Sequence, residues 1–378
     1  MEQVWTGQSA SRSWVGWMST KFPLEIPAAL GLSVYCPESA AAAEAGTGGS
    51  TALCRTAENL GYCADLCSYV RMGMALAEEG GGNRLPRPGF LLCCDNICSG
   101  MVQWYRAMAR RLDVPLFLVN IPYRQEEQVP EEAVSYLRGQ LEAVIRGLEE
   151  LTGRRWDPER FAQVCRQANR NAGAWQRMLD TSIKRPAPLR SMEIFDYMPW
   201  MVTGRCGLET EARLAGLERE LLARPADPGR AGGFRIFWEG TPCWPQLGQA
   251  VSLLEARHIQ VVCDTISQSL SFRYQDLDGL ARAYCGTING VGLEEGVRMR
   301  TELCRRYQVD GVLVHYNRSC RPWCGALQEV ERRLREELEV PVVSFDGDQG
   351  DPGAFSLAQF ETRLDTLAEL MAARRERN

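Results

Sequence analysis

Short apolar runs alternate with longer amphipathic segments along most of the chain, and this alternation restricts the fold more than any other feature of the sequence. The runs with strand character are Phe90–Leu92, Leu116–Val119, Phe234–Trp238, Ile259–Val262, Gly311–Val314 and Val340–Phe345. Strands that alternate with helices are typical of α/β domains with parallel sheets. The stretch from Glu132 to Leu179 has a helical pattern only.

The chain is long enough for more than one domain, because 378 residues exceed the roughly 150 that are usual for one. We predict a helical N-terminal segment over residues 1–60 and a first α/β lobe with a helical extension over residues 61–185. A second α/β lobe is predicted over residues 186–378. Pro186 and Pro188 mark the joint between the lobes.

Charge and hydropathy exclude several classes of partner. The formal net charge is −5, which is unsuited to binding nucleic acid or an anionic membrane. No segment offers the roughly 20 consecutive apolar residues of a membrane span. The first residues lack the basic start and apolar core of a secretory signal, so we expect a cytoplasmic protein with reduced thiols.

Cysteines occur in three pairs with the same C-x3-C spacing. The pairs are Cys63 with Cys67, Cys94 with Cys98, and Cys320 with Cys324. The last two pairs lie between a predicted strand and a predicted helix, where open α/β sheets bind ligands and helix N-termini favour thiolates.

Three explanations of these pairs are open. Free cysteines often fill apolar cores. Structural zinc usually takes four donors at shorter spacing. Six thiols in a chain with two histidines fit an iron–sulfur centre better, and we favour that interpretation.

Blocks around these cysteines resemble the signature of the 2-hydroxyacyl-CoA dehydratase and benzoyl-CoA reductase family. The blocks are Asp65–Arg71 (DLCSYVR), Asp95–Cys98 (DNIC) with Trp104, and Asp310–Val312 (DGV) leading to His315 and Arg318–Arg321 (RSCR). The similarity extends from about Phe22 to Leu370. It implies two flavodoxin-like lobes with a cluster held between them.

The resemblance also implies ligands. One cysteine of each block ligates a 4Fe–4S cluster in the family, and these positions match Cys67, Cys98 and Cys320. This chain adds Cys63, Cys94 and Cys324, as in the branch of the family in which six cysteines hold an 8Fe–9S double cubane. Three other cysteines remain alternatives for one of the six ligands: Cys36, Cys93 and Cys243.

A cluster of this kind needs a source of low-potential electrons. The chain has no G-x-x-x-x-G-K-[ST] loop, because neither Lys21 nor Lys184 follows the required glycines. The resemblance therefore implies a separate ATPase activator with its own iron–sulfur cluster. It also implies a dimer, which we expect to be a homodimer.

Four residues near the cysteines are candidates for supporting roles. His315 and Glu239 are candidates for proton transfer or for lining the same crevice. Arg318 and Arg321 flank Cys320 and are candidates for offsetting the negative charge of a cluster.

We therefore predict an iron–sulfur reductase component with a double-cubane cluster, which accepts electrons from its activator and reduces a small molecule. One alternative is an acyl-CoA dehydratase or reductase subunit with one 4Fe–4S cluster. The other is an electron relay without a substrate. The sequence does not identify the substrate.

Overall fold

The computed structural model describes residues 14–81 and 84–377. The first residues of the chain, where we expected no secretory signal, lie outside the described residues. Within these ranges, no helix combines the length and the apolar character that crossing a membrane requires.

Two parallel sheets of the same topology form the centre of the molecule. The strands are β1 (Val15–Met18), β2 (Ser33–Tyr35), β3 (Phe90–Cys94), β4 (Leu116–Val119), β5 (Phe234–Glu239), β6 (Ile259–Asp264), β7 (Gly311–Asn317) and β8 (Val342–Gly347). The strand orders are β2-β1-β3-β4 and β6-β5-β7-β8. Both orders match the start of a flavodoxin-like sheet, so the predicted fold class of two such lobes is confirmed.

Helices cover both faces of each sheet. Those of the first half are α1 (Glu25–Ala29), α2 (Pro37–Gly46), α3 (Ser50–Asn59), α4 (Ser68–Glu78), α5 (Ser99–Leu112), α6 (Glu131–Thr152) and α7 (Pro158–Asp180). Those of the second half are α8 (Ser191–Gly204), α9 (Leu208–Ala223), α10 (Leu247–Ala256), α11 (Thr265–Gln268), α12 (Leu277–Cys285), α13 (Leu293–Arg306), α14 (Arg321–Leu338) and α15 (Leu357–Arg377).

The prediction of a helical segment over residues 1–60 requires correction. β1 and β2 lie in this segment and pair with each other, and β1 also pairs with β3. The first sheet therefore begins before residue 61. These strands have four and three residues, which is too short for a strand periodicity to be seen in the sequence.

Apolar side chains fill both faces of each sheet. In the first lobe, one core includes Phe90 and packs against α1, α6 and α7, while the other includes Trp17 and packs against α2 to α5. The first of these cores also takes in Tyr284 of α12. The second half of the chain thus contributes to the core of the first lobe.

The contact between α4 and α5 depends on a glycine. A Cβ at Gly73 would lie 1.9 Å from Cζ2 of Trp104, a rigid buried indole. Gly139 lies in α6 with nothing within 4 Å of a Cβ, so it provides a matched control.

We expect G73A to destabilise the protein by about 1–3 kcal/mol through overpacking. G139A should instead stabilise it by roughly 0.5–1 kcal/mol, because alanine loses less backbone entropy in a helix. Urea unfolding of both variants measures the difference. Equal effects of the two substitutions would show that Trp104 moves aside at no cost.

Candidate iron–sulfur site

Cys67, Cys98 and Cys320 share one local environment, since each is the N-cap residue of a helix. Cys67 precedes α4, Cys98 precedes α5 and Cys320 precedes α14. The Met101 amide donates a hydrogen bond of 3.2 Å to Sγ of Cys98. Unpaired amides and the positive end of the helix dipole favour a thiolate at such positions. We refer to these three side chains as the thiol centre.

The members of the thiol centre are close enough to influence one another. Burial raises the pKa of Cys320 to about 12, and the nearby thiols of Cys67 and Cys98 also raise it. Burial likewise raises the pKa of Cys67 to about 11, with Asp348 and Cys98 adding to the shift. Both shifts disfavour the thiolate forms, so burial and the neighbouring groups outweigh the effect of the helix N-termini when no cation is bound.

Residues of both lobes meet beside Cys67. Nε2 of Gln349, from the loop after β8, donates a hydrogen bond of 2.9 Å to Sγ of Cys67. Arg71, one turn into α4, forms an ion pair of 2.7 Å with Asp351 of the same loop. A Cβ at Gly350 would lie 2.5 Å from Cε of Met72, so this loop packs tightly against α4. The thiol centre therefore lies where the two lobes are in contact.

The remaining cysteine of each pair, which is not part of the thiol centre, is placed differently. Cys63 is exposed, and its Sγ accepts a hydrogen bond of 3.4 Å from the Asp65 amide. Cys324 is half-buried, and its thiol donates to the Asn317 carbonyl at 3.0 Å. It lies near enough to Cys320 to raise the pKa of that thiol.

Cys94 is separated from the thiol centre by the first sheet. It is fully buried at the end of β3, and its Sγ lies 3.5 Å from the Ser19 hydroxyl. It belongs to the core of α1, α6 and α7, whereas Cys98 packs against the core on the opposite face. Of the six predicted ligands, Cys67, Cys98, Cys320 and Cys324 are thus close enough to influence one another, whereas Cys94 lies on the other face of the sheet. The predicted role of Cys63, which is exposed, stays a prediction.

The three alternative ligands are buried. The Cys36 thiol donates to Oε2 of Glu38 at 3.3 Å. Cys93 lies in the core beside Trp17. Cys243 lies 3.2 Å from Nε2 of His315. Each of these thiols has local partners.

His315 is fully buried in β7 and joins two loops. Its Nδ1 contacts the Thr241 carbonyl and so carries the proton, which leaves Nε2 to accept from the Cys243 thiol at 3.2 Å. The ring stacks on Phe345 at 4.9 Å. Burial lowers the pKa of His315 to about 4, so the ring is neutral near pH 7. These contacts give His315 a structural role in joining the two loops, and its candidate role in proton transfer stays a prediction.

The other candidates for supporting roles already have partners or face solvent. Glu239, at the end of β5, is fully buried and pairs with Arg300 through two contacts of 2.9 Å. Arg318 is 63% exposed and pairs with Asp346 at 2.9 Å. Arg321 is exposed at the start of α14.

Unsatisfied polar groups near the thiol centre are compatible with an additional bound group. Four buried side-chain atoms there have no hydrogen-bond partner: Oγ of Ser68, Oδ1 of Asn96, Nε1 of Trp323 and Oε1 of Gln349. Native structures rarely leave such atoms unpaired. In addition, all three thiols are free. The donor set therefore fits an iron–sulfur cluster.

The side chains that suit a cluster do not suit a single metal ion. In the described ranges, no three His, Cys, Asp or Glu side chains form a group suited to one ion. One ion needs all its donors about 2.0–2.3 Å away, whereas the thiolates of a cubane each bind a different iron and lie further apart.

Sequence reasoning did not find Gln349 and Asp348. A signal was present, because Gly347–Asp351 (GDQGD) is a turn-rich run directly after a predicted strand. The carboxyl ends of parallel strands meet at one end of a sheet, so this rule would have placed the run near the other strand ends.

Comparisons with known proteins find similar sequences over most of the chain. The family described as 2-hydroxyglutaryl-CoA dehydratase, D-component, matches residues 19–371. The chain is 34% identical to the alpha subunit of (R)-2-hydroxyglutaryl-CoA dehydratase from Acidaminococcus fermentans, covering 96% of this chain and 93% of the relative. It is 35% identical to the (R)-phenyllactyl-CoA dehydratase alpha subunit from Clostridium sporogenes, covering 96% and 90%. It is also 22% identical to a subunit of benzoyl-CoA reductase from Thauera aromatica, covering 84% and 79%.

Proposed function

Because the chain belongs to the 2-hydroxyglutaryl-CoA dehydratase D-component family, whose members are components of dehydratases and reductases, we propose that it is the alpha-type subunit of a 2-hydroxyacyl-CoA dehydratase. Its cofactor in this proposal is one 4Fe–4S cluster bound by Cys67, Cys98 and Cys320. The observation that carries the proposal is the approach of these three N-cap thiols at the contact between the lobes.

A bound cluster would supply one-electron redox chemistry, with one of its four irons free of cysteine. The protein's contribution is to hold the ligands in place. The amides at the starts of α4, α5 and α14 stabilise the thiolate forms, and Gln349 donates a hydrogen bond to Cys67. Such hydrogen bonds to ligand sulfur tune the reduction potential of a cluster.

The proposal includes two partners. The relatives are named as alpha subunits, so the chain would work with an unlike subunit. A separate ATPase activator would deliver the electrons, because the chain has no phosphate-binding loop of its own. A homodimer belongs to the double-cubane alternative.

That alternative, a reductase component with an 8Fe–9S double cubane, has one supporting observation. Cys324 is half-buried and close to Cys320, as a second set of ligands would require. The position of Cys94 on the other face of the first sheet favours one cubane over two.

Metal content separates the two candidates. We expect anaerobically prepared protein to contain about four irons and four acid-labile sulfides per chain, as one cubane requires. About eight irons and nine sulfides would support the double cubane instead. A preparation reconstituted with iron and sulfide that retains neither would contradict both.

Turnover tests the activity itself. The loaded chain, its unlike subunit, the activator and ATP should convert an (R)-2-hydroxyacyl-CoA into the 2-enoyl-CoA. Glutaryl, phenyllactyl and lactoyl side chains are the first choices, because relatives are named for them. If a fully loaded system forms no enoyl-CoA from any of these but reduces another small molecule, the reductase alternative is favoured. An electron relay would accept electrons without any turnover.

A further inference from the structure

A cleft lined by arginines lies at the amino-terminal ends of β5 and β6, whereas the thiol centre lies at the carboxyl ends of the strands. The cleft is about 530 Å³ in volume and is bordered by Phe234 and Ile259, the first residues of β5 and β6. A neighbouring cleft of about 760 Å³ shares Arg185, Arg190 and Arg230 with it. Small-molecule sites commonly have volumes of this size. Glu239 and Cys320 lie at the other ends of the strands, so the cleft is separate from the cluster site.

The charges around this cleft are unbalanced. Among the described residues, its wall carries four arginines, Arg185, Arg190, Arg230 and Arg235, and two acidic residues, Asp227 and Glu255. These six side chains leave an excess of two positive charges in a chain whose net charge is negative. An anion in the cleft would relieve the repulsion between the guanidinium groups.

The arginines differ in how they are held. Arg235 is 4% exposed, and its guanidinium donates to the carbonyls of Ser182, Lys184 and Tyr307, so it is fixed in place without a carboxylate. Arg185 is exposed and donates to the Gln308 carbonyl at 3.0 Å.

Arg230 provides the observation that most directly indicates a ligand. Its Nη2 is buried and has no hydrogen-bond partner. Burial, with Arg190 also contributing, lowers the pKa of Arg230, whereas Glu255 and Asp227 oppose the shift. A buried guanidinium nitrogen without an acceptor is costly unless a bound group supplies one.

We propose that this cleft binds a phosphorylated small molecule, with Arg185, Arg190 and Arg230 contacting its phosphate oxygens. Guanidinium groups form paired hydrogen bonds with phosphate oxygens and suit planar recognition better than lysine does. The cleft has room for further atoms beside one phosphate group, so a diphosphate or a nucleotide is the kind of ligand that we expect. This proposal does not depend on the proposed function, because no cluster ligand takes part.

The test is a calorimetric titration of the full chain, as purified, with inorganic pyrophosphate and, in a separate experiment, with ADP. We expect saturable binding that weakens as salt is raised. Tighter binding of ADP would identify a nucleotide, and equal binding would identify the diphosphate group as the recognised part.

R230Q and R190Q should each weaken binding by about tenfold or more, which corresponds to about 1.4 kcal/mol per contact. Arg190 is exposed, so R190Q tests the proposal even if R230Q unfolds the chain. R138Q removes an arginine that is 50% exposed on α6 and should leave binding unchanged. Iron content should be the same in all variants. No saturable binding, or equal binding by R190Q, R138Q and the parent, would overturn the proposal.

Discussion

Replacing any one of Cys67, Cys98 and Cys320 by alanine is expected to reduce bound iron from about four per chain to nearly none. These thiols lie at three helix N-termini and influence one another, so they would act as one ligand set. A cubane that loses one of three protein ligands is held by two, and we expect it to dissociate on gel filtration. Iron analysis and the visible absorption of anaerobic protein measure the loss.

The cysteine of each pair that lies outside the thiol centre provides a matched control in the same segment. C63A and C94A should keep about four irons, because Cys63 is exposed and Cys94 lies on the other face of the first sheet. C324A is the most informative of the three, since Cys324 is near Cys320. If C63A, C94A and C324A each halve a starting content of about eight irons, the chain holds a double cubane.

R205A is expected to lower the free energy of unfolding by about 3–5 kcal/mol. Glu25 of α1 is fully buried, and Arg205, after α8, pairs with it at 2.7 Å. Tyr274 also donates a hydrogen bond to Glu25. Removal of the arginine leaves a buried carboxylate without its counter-charge, and α1 loses its tie to the second half of the chain.

Urea unfolding measures this effect, and two further variants identify its cause. R177A breaks an ion pair whose arginine is 60% exposed and should cost about 0–1 kcal/mol. The double variant E25Q/R205M removes both charges and should be much less destabilised than R205A. If R205A and the double variant lose the same free energy, the loss comes from packing and not from the unpaired charge.

The ion pair of Glu25 with Arg205 also predicts that the stability of the protein depends on pH. Burial alone would raise the pKa of Glu25, but the charge and hydrogen bonds of Arg205 and the hydrogen bond of Tyr274 bring it below its usual value. A lowered pKa in the folded state means that this stabilisation is complete above the unfolded pKa, about 4.3, and is lost as the pH falls through the folded value. E25Q should remove this component from the acid limb of the stability curve.

The fold was predictable in large part, and the missing part has a physical explanation. Six of the eight strands of the described residues were found, because buried parallel strands are continuous apolar runs. β1 and β2 were missed because they are short, although β1 pairs with both β2 and β3. The exact start of α14 at Arg321, which makes Cys320 its N-cap residue, was not apparent from the cysteine spacing.

The candidate site was predictable only at the level of residue type and position along the chain. The spacing of Cys94 and Cys98 put both near the end of one strand but did not reveal that they lie on opposite faces of the sheet. Side chains alternate between faces in a strand, but this alternation ends where the strand ends. His315 and Glu239 were placed near strand ends, but their partners, Cys243 and Arg300, come from other elements.

The sequence by itself determined an α/β chain of two lobes with cysteines between strands and helices, because strand and helix periodicities and cysteine spacing are local properties. Only the tertiary structure decided which thiols meet. Cys67 and Cys98 belong to the first lobe and Cys320 to the second, and their approach depends on how the lobes pack. That packing depends on long-range contacts, such as those of Arg71 with Asp351 and Glu25 with Arg205, which link residues far apart in the chain.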